Sequence, residues 1–436
     1  MAAHITIQHI GPIDYASFDL NVINVFMGPQ SSGKSTIAKI VSYCSWYEKN
    51  VILHSSKRPV FFEELISFHN LEGSYFSGDS KIEYKSELCE FVFVWGDDTH
   101  SGIDVQLGNG KVFKNRKIAY IPAERNFVTL PGLGKYNEAR DNILSFMYEW
   151  FLAKKELSSS NVFLMPIKGL GDVSFYYDKD SDSDNVRIGH DTSLKLNHSS
   201  SGLRSCIPLL VVFNYIVEGI YNARRAQTPF EIVDIEDKID LLTAKPEDTD
   251  EDVRSSIVHL KEQVDELSKN IQSVKELNGD NEFNETLLQI QEQLANIFGL
   301  YSDYHYSLVI IEEPELNLFP KTQQELIYYM ISVLSKANRK HQLVLTTHSP
   351  FILFAINNCM MGGLVGSKIP TIEQLDIASS QAWIKPSDVS IYEIHNGTIV
   401  SIQDEDGIID DNYLNQAYKD SSNEYLAMLN YYGDEE

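Results

Sequence analysis

Cysteine is scarce in this chain of 436 residues: Cys44, Cys89, Cys206 and Cys359 lie far apart, with no metal-ligand spacing. That excludes a disulfide framework or a cysteine-held zinc, and the four read as reduced, buried thiols. Long apolar runs are missing too. No stretch of about 18 apolar residues occurs, which argues against a membrane span. The longest run, Ile207 to Ile216, is interrupted by Pro208 and Asn214 and reads as a buried helix. Met1 to Ile10 has no basic start leading into an apolar segment, so no signal peptide and a cytoplasmic location are expected. Cations are few: 36 Lys and Arg face 62 Asp and Glu, for a formal net charge of −26. Binding nucleic acid through bulk charge is therefore disfavoured, because that attraction needs clustered cations to displace counterions. Only a local basic groove remains open.

What is present points to a folded body. With 43% hydrophobic and 22% charged residues the chain has ample material for a large core. Its length suggests two or three domains at about 150 residues each. The negative charge is uneven: Glu231 to Leu300 holds 6 basic and 18 acidic residues, and Ser401 to Glu436 holds 1 and 10. Two acidic segments thus sit on a nearly balanced remainder.

Along the chain, Ile5 and Ile7 and then Val22 to Phe26 read as two short strands with the Gly11-Pro12 turn between them. A glycine-rich loop follows, then helical apolar spacing from Ser35 to Tyr43. Phe91 to Val94, Lys117 to Ile121 and Val173 to Tyr177 are further strands, and Asn142 to Leu157 a helix. Asp178, Asp180, Asp182 and Asp184 superficially resemble a calcium loop. Ser183 stands where the loop needs glycine and Gly189 where it needs a bidentate glutamate, so a solvated hairpin turn is expected.

From Val253 the apolar positions Ile257, Leu260, Val264, Leu267, Ile271 and Val274 alternate steps of four and three, a heptad seam. Asn278-Gly279-Asp280 breaks it, and Phe283, Leu287, Ile290, Leu294 and Ile297 resume it. This predicts an antiparallel coiled-coil hairpin with a first arm roughly 37 Å long at about 1.5 Å per residue. It would serve as an interaction arm or as a solvated decoration. Glu247 to Asp252 would be its acidic entry linker.

Three motifs carry chemistry. Gly28-Pro29-Gln30-Ser31-Ser32-Gly33-Lys34-Ser35, followed by Thr36, fits G-x-x-x-x-G-K-[ST] between a strand and a helix. Glycines let the backbone curl so that its N–H groups and the helix N-terminus face phosphate oxygens. Lys34 would reach the β- and γ-phosphates and the Ser35 hydroxyl would ligate Mg²⁺. Leu308 to Ile311 reads as a central strand that delivers Glu312 and Glu313 at its end. Glu312 would hold Mg²⁺ through water, and Glu313 would orient and polarise an attacking water. Leu343 to Thr347 is another buried strand, ending in His348 as a hydrogen-bond sensor of the γ-phosphate.

These motifs come in order, with Ser199-Ser200-Ser201-Gly202-Leu203-Arg204-Ser205 opening an apolar helix between the first and second, and Pro314 to Pro320 and Ser349-Pro350 completing the last two. The chain thereby resembles the ABC-type ATPases. More narrowly it resembles the branch related to the OLD-family and SMC or RecF-like ATPases, which includes ATPase subunits of anti-phage systems such as Septu, Gabija and PARIS. The resemblance, which covers most of the chain outside the coiled-coil hairpin, implies an α/β fold: an ABC-type P-loop head with a mixed or parallel central sheet, into which the hairpin is inserted. The implied division is a head part at 1–228, the hairpin at 229–300 and a second head part at 301–436. It also implies a head-to-tail dimer or higher assembly in which Ser201, Gly202 and Arg204 of one copy complete the ATP site of another. The signature departs from Leu-Ser-Gly-Gly-Gln, with Ser200 for Leu, Leu203 for the second Gly and Arg204 for Gln. The D-loop would be Glu315 to Asn317. No clear Q-loop glutamine occurs, and Glu124, within Ile121-Pro122-Ala123-Glu124-Arg125, is the substitute candidate.

OLD-type nucleases carry a TOPRIM domain after the ATPase. Only 86 residues follow Pro350, and Asp404-Glu405-Asp406 lacks a convincing partner and reads as a surface turn. Nuclease activity is therefore expected in a separate effector chain, with a phage protein as a conceivable trigger. The reading is an ATPase using ATP and Mg²⁺ that controls such an effector in anti-phage defence. The alternatives are a RecF or SMC-like DNA-repair ATPase and a scaffold with structural ATP.

Overall fold

The computed structural model describes residues 3–53, 60–105, 114–130, 141–189, 192–221, 304–429 and 431–432. The coiled-coil hairpin expected at 229–300 and its acidic linker lie outside the described residues.

The chain opens on a hairpin, β1 (His4–Ile10) and β2 (Ile13–Asp19), closed by Gly11-Pro12. The sequence reading has that turn leading straight to the next strand, β3 (Ile23–Met27), and so misses β2. Ile13, Ala16 and Phe18 are the residues that β2 buries, and small Ala16 and Ser17 blur its alternation. Helix α1 (Lys34–Leu53) runs well past Tyr43, because Tyr47 and Val51 prolong its buried stripe. Next come α2 (Phe61–His69), the antiparallel strands β4 (Phe76–Lys85), β5 (Cys89–Val94) and β6 (Asp97–Val105), and then β7 (Arg116–Ile121).

Helix α3 (Asn142–Lys155), N-capped by Asp141, is followed by a small antiparallel sheet of β8 (Phe163–Leu164), β9 (Val173–Asp178), β10 (Ser183–Ile188) and β11 (Thr192–Lys195). The aspartate-rich stretch is its β9–β10 turn. Asp178 accepts from the Asp180 amide and the Ser181 hydroxyl, and Asp184 pairs with Lys154 at 3.0 Å, so these carboxylates are used within the fold. Among the described residues no group of His, Cys, Asp and Glu is arranged to hold a metal by itself. Helix α4 (Ser201–Val217) follows. Beyond the undescribed stretch come β12 (Tyr306–Glu312), α5 (Pro320–Lys336), β13 (Gln342–Thr347), α6 (Pro350–Val365), the one-turn α7 (Thr371–Gln374), β14 (Val389–His395), β15 (Thr398–Ser401) and α8 (Tyr413–Leu429).

The main sheet has the order β6-β5-β4-β1-β2-β15-β14-β3-β13-β12-β7. Strands β14, β3, β13, β12 and β7 are parallel, and β6, β5, β4, β1 and β2 antiparallel, so the expected mixed sheet is present. Parallel strands must be covered on both faces, and their side chains alternate accordingly. Val309 and Ile311 join α3 to α6 in one core, whereas Leu308 and Ile310 join α1, α2 and the antiparallel strands in the other. Each such fully buried side chain contributes roughly 1.5–3 kcal/mol. All four cysteines are free and buried. By length and mean hydropathy Ser201–Tyr221 and Pro350–Lys368 could each cross a bilayer, yet the first is 78% buried within the protein, as a core helix would be.

Candidate functional site

The phosphate loop follows the tip of β3. Gly33 has φ +103°, and a Cβ there would come 2.4 Å from the Ile13 side chain, so only glycine fits. Ser31 adopts φ +59° at the crest. Gln30, Ser31 and Ser35 are exposed, and Thr36 is buried at the start of α1. Lys34 is buried, and its ammonium donates to the carbonyls of Gly28 at 3.0 Å and Pro29 at 2.6 Å. Burial lowers its pKa to about 8, against the pull of the Glu313, Glu315 and Glu312 charges.

Glu312 and Glu313 lie at the end of β12, two strands from β3. Glu312 is buried and accepts a hydrogen bond from the Tyr120 hydroxyl. Burial raises its pKa, which that hydrogen bond and Lys39 oppose. Glu313 turns out of the strand at φ +43°, a left-handed conformation that costs a non-glycine residue roughly 1–2 kcal/mol. Its side chain meets His348 Nε2 at 3.1 Å, and that hydrogen bond is the main cause of its lowered pKa.

His348 belongs to the tip of β13, the strand between β3 and β12. Its backbone N–H donates to Glu315 at 2.7 Å, and the Thr347 hydroxyl donates to the same carboxylate oxygen at 2.8 Å. Burial raises the pKa of Glu315. Ser349 caps α6 and donates to Gln323 at 2.5 Å, and Gln323 donates to the Leu318 carbonyl at 2.8 Å. The acid loop after β12 is thus tied to the β13 tip by side-chain bonds from both ends.

The residue that sequence reasoning undervalued is Arg125. Fully buried, it donates to the Glu312 carbonyl at 2.8 Å, the Glu313 carbonyl at 2.8 Å and the Pro314 carbonyl at 3.4 Å. Its Nε reaches the Ser205 carbonyl of α4 at 3.2 Å. Burial lowers its pKa to about 10, so it stays a cation at neutral pH. Its neighbour Glu124 is exposed, with its charge felt at Glu312 and Tyr120. The available signal was an arginine right after a strand, Pro and turn; which of two adjacent charged residues points inward is invisible without the fold.

The signature residues sit elsewhere. Ser200 caps α4, Ser201 is exposed in its first turn, and a Cβ on Gly202 would come 3.0 Å from the Asn317 carbonyl of the acid loop. Arg204 Nε is buried without a partner. Among the described residues no hydrogen bond joins Ser201, Gly202 or Arg204 to the phosphate loop. The Asp404–Asp406 triplet is an exposed turn in which Asp404 accepts from the amides of Asp406 and Ile408.

The donor set suits a magnesium triphosphate. The Ser32 hydroxyl is buried in the loop without a partner, and Thr346 Oγ1 and Glu315 Oε2 are likewise unpartnered. Buried polar atoms left unsatisfied by the chain are where a ligand's oxygens, ion or water belong.

Residues 301–353, from just before β12 to the start of α6, match the family described as AAA ATPase domain. Among solved structures, the SMC head domain from Thermotoga maritima is 9% identical, with 92% of this chain and 98% of that chain covered and a TM-score of 0.36. The recombination mediator protein RecF is 10% identical over 92% of this chain and 98% of that one, with a TM-score of 0.30. An ATP-binding cassette from an ABC transporter is 10% identical over 93% of each chain, with a TM-score of 0.24. No curated protein matches the chain.

Proposed function

We propose that this chain binds and hydrolyses ATP with Mg²⁺, that copies of it close head-to-tail around the nucleotide, and that hydrolysis controls a separate effector, by motif resemblance a nuclease in anti-phage defence. The observation that supports the catalytic part is the convergence, at the tips of neighbouring parallel strands β3, β13 and β12, of Lys34, His348 and the Glu312–Glu313 pair.

Phosphoryl transfer to water needs positioning and charge compensation more than covalent chemistry. Lys34 and the loop amides bind the phosphates, and the Ser32 hydroxyl supplies a further donor. Ser35 and Glu312 are the residues that would hold Mg²⁺, which when bound neutralises charge on the phosphate oxygens. The lowered pKa of Glu313 keeps its carboxylate ionised and able to accept a hydrogen bond from the attacking water. His348 orients that carboxylate. Arg125 fixes the backbone from which Glu312 and Glu313 extend, and carries the position of α4 to it. Exposed Ser201 at a helix N-terminus, with Gly202 and Arg204, would complete the γ-phosphate site of a second copy. Glu124 would stand at the rim in place of a Q-loop glutamine.

The test compares ATP turnover and solution mass for wild type, Lys34→Ala, Glu313→Gln and Ser201→Arg. Loss of turnover in all three variants is expected, with ATP-dependent dimers kept by Glu313→Gln and lost by Ser201→Arg. Wild-type hydrolysis and assembly in Lys34→Ala and Glu313→Gln would overturn the site. Strong stimulation of turnover by DNA would move the reading to a repair ATPase, and metal-dependent DNA cleavage by the purified chain would remove the need for a separate nuclease. Phage challenge of cells carrying the chain with its neighbouring genes tests the defence role, which equal plaque counts with wild type and Lys34→Ala would refute.

A further inference from the structure

Helix α8 differs from every other long helix described here: none of its residues is buried. Its start is fixed to the body. Asn412 Oδ1 accepts from the Leu414 amide at 3.1 Å, Glu393 accepts from the Tyr413 amide at 2.8 Å, and Leu414 lies against the core. Farther along, Tyr418 is 75% exposed, Tyr425 60% and Met428 60%, and beyond the helix Tyr432 is 87% exposed. At 3.6 residues per turn Leu414, Tyr418, Tyr425, Met428 and Leu429 fall on one stripe. A helix of this length, with Ser421-Ser422-Asn423 at its middle and, among the described residues, only Leu414 packed on the hydrophobic core, is marginal in water, where isolated helices need more than about 12–15 good residues. Large aromatic and apolar side chains left exposed along one side of a helix, here Tyr418, Tyr425, Met428 and Leu429, are a recurrent mark of an interaction site.

The charges beside the stripe select the occupant. Asp420 and Glu424 lie along one edge of it, and the single cation of the helix, Lys419, is engaged by Asp411 at 3.0 Å. Ser401 to Glu436 holds 10 acidic residues and 1 basic. Two such helices would repel each other, and the same charge opposes an anionic lipid surface or nucleic acid. We infer that α8 is a docking helix whose tyrosine-rich stripe inserts into an apolar groove with a basic rim on a different protein. Tyrosine suits such a contact, since it buries a large rigid ring at low entropic cost while its hydroxyl stays wet. The inference does not depend on the ATPase reading, because α8 contributes no residue to the strand-tip site.

The experiment puts the photo-crosslinking residue p-benzoylphenylalanine at Tyr425 of the full chain in its native host, with Tyr15 on β2, 49% exposed, as the control position. Light should give an adduct at position 425 and none at 15, mapping to an apolar peptide flanked by Lys or Arg on another protein. Adding Asp420→Lys and Glu424→Lys should lower its yield about tenfold, because like charges then face each other across the rim. Tyr418→Glu should also abolish it while ATP turnover and melting stay at wild-type values. An adduct to a second copy of this chain, to lipid or to nucleic acid overturns the inference, as does an adduct no stronger than at Tyr15 or one indifferent to the charge reversal.

Discussion

The two halves of the main sheet are built from similar apolar residues, yet all the strand-borne site residues fall on one of them. In the parallel half every strand runs the same way, so the tips of β3, β13, β12 and β7 gather at one edge and bring the phosphate loop, His348, the paired glutamates and Arg125 together. In the antiparallel half neighbouring strands reverse, so their tips alternate between edges and no candidate residue lies on them. Strand direction, more than composition, thus decides where the candidate residues accumulate. The antiparallel half still shapes the site from outside: Ile13 of β2 is the reason residue 33 must be glycine. Arg116 of β7, Glu48 of α1 and Tyr84 of β4 form one buried polar cluster that ties the halves together.

Substitutions on either side of that divide should separate activity from stability. The largest effect is expected for Glu313→Gln in the parallel half. Under the role proposed for Glu313, turnover at saturating ATP should fall about 10²–10⁴-fold, with an unchanged melting temperature. Next, Glu48→Ala leaves Arg116 buried without its carboxylate partner at 2.5 Å. A loss of about 3–5 kcal/mol in denaturant unfolding should follow, with near-normal turnover per folded molecule. A matching loss of turnover would show that the seam acts on the site directly. Arg125→Lys keeps the charge but cannot span three carbonyls and α4 at once. It should cost roughly 2 kcal/mol in stability and lower turnover more than ATP affinity, and wild-type kinetics would sever the link between α4 and the glutamates. The smallest effect concerns pH. With the Lys34 pKa lowered to about 8, the lysine is charged below that pH and loses its proton above it. ATP affinity measured by titration should be flat below about pH 8 and then weaken by up to tenfold per unit, whereas Lys34→Arg should stay flat.

Much of the strand-tip site was legible because its motifs are local. A phosphate loop needs consecutive backbone amides, so its residues must be contiguous, and the paired glutamates and His348 each end a run of apolar β-formers. The order of those runs does not say which are neighbours, and that β13 separates β3 from β12 comes only from the sheet. Strand β2 was hidden by its small residues. Arg125 was passed over for Glu124 because, the nearby Pro122 carbonyl apart, its partners are main-chain carbonyls of residues 312–314 and 205, which leave no pattern in a sequence.

By itself the sequence determined the element types wherever apolar spacing was strong, and singled out the glycine-rich loop, the paired acids and the histidine as the candidate site, because these depend on side-chain chemistry and short-range periodicity. Only the tertiary structure decided that Lys34 is desolvated, that Glu313 bonds His348, that Arg125 faces inward, and that α8 leaves its tyrosines in water. Burial and pairing are set by what the rest of the chain brings up against a residue, and that lies far away in sequence.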